Sequence, residues 1–184
     1  MATITEITSW LRKDEEKFMK KLSEIGIKRG LGLHKIVDDR VVRDVTGGEF
    51  VGDGLCYLTS GAIEMAISQQ FGDKVRTSGA ILAPISKNTG KYAEFAHNIL
   101  RVTGGDGKVT VDATWRQLYF KARNRIYIFP TCQEDLVYGG RQIKFLSQGE
   151  SWRFAKENLC HSRDNNVTLT DFEELVRILT NIEA

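Results

Sequence analysis

Three residues of this chain have the types and spacing of a thiol nucleophile with its helpers: Cys56, His97 and Asp112, set 41 and 15 residues apart. A cysteine attacks as its thiolate, and the unpaired N–H groups at a helix N-terminus stabilise that charge. The run LCYLTSGAIEMAISQQF, residues 55–71, predicts a helix with Leu58, Ala62, Met65 and Ala66 on a buried face and Gly72 as its stop. Cys56 then lies in the first turn. An imidazole within hydrogen-bond reach holds the thiolate as an ion pair and later gives a proton to the leaving group. His97 falls in FAHNILRV (95–102), a strand pattern, and GGDG turns that strand back into KVTVDAT (108–114), near whose end Asp112 stands. An antiparallel pair lets the carboxylate reach the imidazole across the ladder and fix its orientation. Singly, each residue has a plain structural explanation: a buried small hydrophobe, a core histidine, a turn aspartate. Their coincidence is what points to a site.

The elements that must position these residues follow from periodicity. Ile4, Ile7, Leu11, Phe18, Leu22 and Ile25 recur at helical spacing, predicting one amphipathic helix that stops at Gly26 or Gly30. Residues 26–54 are rich in glycine and charge and read as loop with short irregular elements. After the Cys56 helix, VRTSGAILAPI (75–85), FAHNILRV, KVTVDAT and RIYIFP (125–130) read as strands. ESWRFAKENLC (150–160) and TDFEELVRILTNI (170–182) read as helices, the latter capped by Thr170 with acidic residues in its first turn. There is no internal repeat or Pro-rich linker. The expectation is one α+β domain over 1–184, with a catalytic core at about 50–130 and flanking helices at 1–30 and 149–184.

Composition bounds the function classes. The chain has 184 residues, 26 Lys plus Arg against 24 Asp plus Glu, and 41% apolar residues, the make-up of an ordinary globular domain. A formal charge of +2 gives no electrostatic reason to expect nucleic acid or a polybasic membrane contact as partner. No run approaches the ~18 apolar residues of a membrane span, and the charged start lacks a signal-peptide core, so the chain is expected to be made and folded in a cytosol. Three cysteines, Cys56, Cys132 and Cys160, without a C-x-x-C pair argue against a disulfide framework or a zinc cluster, and no metal or other cofactor is expected. The glycines of GDG and GGDG form no P-loop, since no Lys-Ser or Lys-Thr follows. His34 and His161 lie in polar contexts, and Cys132 and Cys160 read as structural or exposed thiols.

The run FAHNILRVTGGDGKVTVDATWRQ, residues 95–117, resembles the His and Asp strands of transglutaminase-like and papain-like thiol enzymes. With GDGLCYLTSGAIEMA (52–66) upstream, the order Cys, His, Asp and the two intervals are similar to those of the papain-fold toxins that deamidate glutamine. The likeness covers about residues 50–120. It implies a papain-like or transglutaminase-like fold, the catalytic helix packed on an antiparallel sheet, with Cys56, His97 and Asp112 as the triad. It also implies a hydrolase acting on amides through a thioester, specifically a protein-glutamine deamidase serving as a bacterial effector or virulence toxin. Such a chain is delivered into another cell by a specialised secretion system and faces a cognate immunity protein as inhibitor. Two departures are visible: no Gln precedes Cys56, and Asn98 follows His97 directly, without an aromatic spacer. The oxyanion donors then fall to backbone amides, of Cys56 and of the Asp53-Gly54 turn, where glycine permits close approach.

Trp115 either walls the site against water or packs in the core, and Gln117 either adds a hydrogen bond or simply leaves the strand. A thioester attacked by water gives deamidation or proteolysis, and one attacked by an amine gives transamidation. The alternatives are therefore a cysteine peptidase or a transglutaminase-like acyltransferase, with an arylamine acetyltransferase as a more distant one. In a different class stands an inert protein-binding module whose terminal helices meet a partner.

Overall fold

In a computed structural model, which describes residues 1–29, 33–37, 40–43, 49–50, 55–84, 97–117, 123–138, 143–146 and 167–181, the N-terminal apolar stripe forms two helices rather than one. Helix α1 (Ile4–Lys13) opens on a reciprocal capping box between Thr3 and Glu6 and ends at Asp14. Helix α2 (Glu15–Arg29) restarts at once, with Glu15 and Glu16 at its positive end. The break has a non-local cause. The carboxylate of Asp14 is buried and accepts from Lys17 Nζ at 2.9 Å and from Asn181 Nδ2, near the far end of the chain, at 3.0 Å. The stripe itself is as expected: Ile7, Leu11, Phe18, Leu22 and Ile25 are all buried. Gly26 does not stop α2, which runs on to Arg29 with Gly26 among its buried residues.

The segment expected to be loop holds a three-stranded antiparallel sheet. Strands β1 (Leu33–Val37), β2 (Arg40–Arg43) and β3 (Glu49–Phe50) lie in the order β2-β1-β3. Its two longer strands carry the β-branched pairs Ile36-Val37 and Val41-Val42, and this local preference prevails over the surrounding glycines.

Helix α3 (Cys56–Phe71) follows, and Gly72 ends it with a φ of 54°, the left-handed region that glycine enters without a Cβ clash. Its buried face is Cys56, Thr59, Ser60, Ala62, Ile63, Ala66 and Ile67, whereas Met65, expected inside, is exposed. A five-stranded antiparallel sheet then forms in the order β7-β6-β5-β4-β8. Its strands are β4 (Arg76–Pro84), β5 (His97–Thr103), β6 (Lys108–Asp112), β7 (Tyr127–Pro130) and β8 (Ile143–Leu146). The GGDG hairpin is as expected, pairing β5 with β6 from Thr103↔Lys108 to Leu100↔Val111. Among the described residues, two further elements were not foreseen: β8, which pairs with the side of β4 away from β5, and the short helix α4 (Glu134–Tyr138).

The last helix, α5 (Leu169–Thr180), is capped by Thr168 and not by Thr170. Thr168 and Asp171 form a second capping box, and this reciprocal pair fixes the start two residues earlier than the isolated threonine suggested. The expected helix at 150–160 lies outside the described residues.

The two faces of the large sheet differ. Leu100, Val102, Val109 and Val111 join α1, α2, α3 and α5 in the main core, which places the helices on one face. Ala80, Leu82 and Ile99 point the other way and pack with Tyr138, Trp115 and Phe129 in a second cluster. The architecture is thus α+β, with a helical layer on one face of an antiparallel sheet. No helix among the described residues is long and apolar enough to cross a membrane.

Candidate active site

Cys56 is the first residue of α3, His97 the first of β5 and Asp112 the last of β6. Hairpin register brings the latter two together. Extending the β5–β6 pairing by one places Asp112 opposite Ile99, on the diagonal from His97 and on its face of the sheet. The Asp112 carboxylate accepts from His97 Nε2 at 2.7 Å, and both side chains are fully buried. The second carboxylate oxygen, Oδ1, accepts the backbone N–H of Thr114 at 3.0 Å. With Nε2 committed to Asp112, the hydrogen bond between His97 and the Cys56 side chain falls to Nδ1. His97 thus bridges thiol and carboxylate.

The electrostatics follow from that bridge. Burial by itself pushes the imidazole towards its neutral form. The Asp112 carboxylate, its hydrogen bond, the hydrogen bond to Cys56 and the charge of the Cys56 thiolate outweigh burial and hold His97 up to about 10. Next to Cys56 in sequence, Tyr57 is 38% exposed and is pushed up to about 12, by burial first and then by the Cys56 charge.

A second set of contacts locks helix to strand. Asn98 donates from Nδ2 to Ser60 Oγ at 2.8 Å, and Ser60 Oγ donates to the Cys56 carbonyl at 2.8 Å. Thr59 Oγ1 lies 3.1 Å from the Leu55 and Cys56 carbonyls. The residue after His97 is therefore tied to the first turn of the helix that carries Cys56, which fixes His97 and Cys56 in register.

On the opposite face, α4 covers the His97–Asp112 pair. Its first residue, Glu134, is buried and takes both prongs of Arg101, at 3.0 Å from Nε and 2.5 Å from Nη2, and the Thr110 hydroxyl as well. One turn on, the fully buried Tyr138 donates its hydroxyl to Asp112 Oδ2 at 2.9 Å. Trp115 stacks on Tyr127 at 5.1 Å and meets Tyr138 at 5.2 Å and Phe129 at 6.1 Å. Of its two expected roles, these contacts favour packing, on rings that themselves back the carboxylate.

The remaining expected residues fall as follows. Asp53 and Gly54, the expected oxyanion turn, lie outside the described residues, as do Cys160, His161 and the side chains of Gln117 and His34. Cys132 is an exposed free thiol, whereas the Cys56 thiol is buried. Among the described residues no group of three His, Cys, Asp or Glu side chains is placed to hold a metal ion. Sequence reading missed Ser60, Glu134 and Tyr138. The only signal for the last two was their separation of four, one helical turn, in a segment too short to show a period.

No family model matches this sequence, and neither a curated protein nor a solved structure matches it.

Proposed function

We propose that this chain is a thiol amidohydrolase of papain-like or transglutaminase-like type, and that its reaction is deamidation of a glutamine side chain in a protein substrate. One observation carries the reading: a buried imidazole that bridges a thiol at a helix N-terminus and a buried carboxylate, with 2.7 Å between His97 Nε2 and Asp112. The likeness of residues 95–117 and 52–66 to the glutamine-deamidating toxins supports the choice of acceptor and the role of an effector acting in another cell.

The chemistry runs in two halves. The Cys56 thiolate attacks the carboxamide carbon, forming a C–S bond and pushing the carbonyl electrons onto oxygen. The positive end of α3, of which Cys56 is the first residue, stabilises that oxyanion as it does the thiolate. His97 gives its Nδ1 proton to the nitrogen, the C–N bond breaks and ammonia leaves, with the acyl group held as a thioester. Water then attacks the thioester carbon while the now neutral Nδ1 takes its proton, the C–S bond breaks, and a glutamate side chain is released. Asp112 keeps the ring oriented and favours its cationic form throughout.

The test is a lysate incubated with the protein or with Cys56→Ala and read by mass spectrometry. Glutamines gaining about one dalton only with the intact thiol support deamidation. New termini that depend on Cys56, with no altered glutamine, support a peptidase of the same fold instead. Identical lysates overturn the enzymatic reading and leave the binding module.

A further inference from the structure

Tyr138 stands outside the triad, yet its hydroxyl meets the same carboxylate oxygen that His97 meets. Asp112 Oδ2 accepts from His97 Nε2 at 2.7 Å and from Tyr138 Oη at 2.9 Å. A buried carboxylate that accepts several hydrogen bonds is favoured in its charged form, and each donor also restricts where the oxygen can sit. The placement of Tyr138 is held from two sides. Glu134, one turn earlier on α4, is clamped to Arg101 and Thr110 of the sheet, while Trp115 and Phe129 pack against the Tyr138 ring, Phe129 at 5.7 Å.

We propose that Tyr138 is a positioning residue, whose buried hydroxyl keeps the Asp112 carboxylate aimed at His97, and that α4 is held on the sheet to deliver it. The proposal rests on the thiolate–imidazolium reading of Cys56 and His97. It deepens that reading by extending the relay to four groups: thiol, imidazole, carboxylate and phenol. Without the phenol, Oδ2 loses one of its two side-chain donors, and the carboxylate is freer to turn away from the imidazole that it orients. The acid limb of Cys56 reactivity, where the thiolate is lost, reports that loosening.

The experiment is the rate of iodoacetamide labelling at Cys56 between about pH 4 and 9, followed by peptide mass spectrometry, in wild type, Tyr138→Phe, Val137→Ala and His97→Ala. Tyr138→Phe keeps the ring in its cage and removes only the oxygen. It is expected to move the acid limb upward by about one pH unit, the scale of one hydrogen bond to a charged group. Val137→Ala loosens the packing of α4 while keeping the hydroxyl, and is expected to lower the melting temperature with the limb unmoved. An unshifted limb in Tyr138→Phe overturns the proposal, as does an equal shift in Val137→Ala, which would make the effect one of packing. Failure of the underlying reading looks different, with wild type and His97→Ala sharing one profile.

Discussion

His97 does two jobs that pull in opposite directions, since it is buried where a neutral ring is favoured and yet faces two groups that hold a proton on it. The sign of the resulting pH dependence is definite. Because the folded state binds this proton more tightly than the unfolded chain, whose ordinary value is 6.5, the stabilisation is fully present below about 6.5 and is lost as pH rises through about 10. Resistance to urea is therefore expected to fall across that window, and in His97→Gln this part of the fall is expected to vanish. Equal slopes in the two proteins would show that the folded site does not hold the proton. Asp112→Asn keeps the shape of the partner and removes its charge. It is expected to slow Cys56 alkylation at pH 6 by about ten-fold or more, the effect of shifting one proton equilibrium by a unit. That Cys56, His97 and Asp112 come together was legible at this scale because cysteine and histidine are rare in this chain and the aspartate ends the strand paired with that of His97. Tyr138 and Ser60 were not, since a tyrosine or serine gives no sign of its partner until the fold supplies it.

At the scale of elements, the hairpin was legible because alternation and a glycine turn are local signals, and β5 and β6 pair as the sequence implied. The break at Asp14 was not, because what stabilises it is a contact with Asn181. Two capping threonines in one segment, Thr168 and Thr170, could be told apart only by the reciprocal partner Asp171. Helix α4, at five residues, is too short to stand on propensity and exists through its tertiary anchors. Glu134→Ala is accordingly expected to destabilise the protein by about 1–3 kcal/mol. A broken buried ion pair costs more than that, but the Arg101 side chain remains one-third exposed and regains water. The same variant is expected to lower Cys56 reactivity near neutral pH, because Tyr138 loses its support. Unchanged chemical denaturation would contradict the anchoring role of Glu134.

Across the whole molecule, the segments read as flanking helices are built into the core of the candidate site. Phe18, Leu22 and Ile25 of α2 and Leu175, Val176 and Leu179 of α5 share one cluster with Ala62, Ile63 and Ala66 of α3, the helix that carries Cys56. Polar links reinforce this, with Arg29 to Asp171 at 2.9 Å and Lys21 to Glu174 at 2.9 Å. The N-terminus is seated on the hairpin turn between the His97 and Asp112 strands. Gly105 N–H donates to the Ala2 carbonyl at 2.8 Å, and Ile4 N–H to Asp106 at 2.6 Å. A Cβ on Gly104 would lie 2.8 Å from that same carbonyl, so Gly104→Ala must displace backbone. It is expected to cost about 1–3 kcal/mol of stability, read by urea unfolding. A neutral result would show that the N-terminal segment yields freely. All of this bears on the one arrangement proposed above, a thiolate paired with an imidazolium. The most direct test is iodoacetamide labelling of the three cysteines between about pH 5 and 9 in wild type and His97→Ala, with exposed Cys132 as the internal reference. Cys56 is expected to react at pH 5 in the wild type and to lose that reactivity in His97→Ala. A Cys56 that reacts only towards ~8.5, the ordinary thiol range, and identically in both proteins would contradict the ion pair and the function built on it.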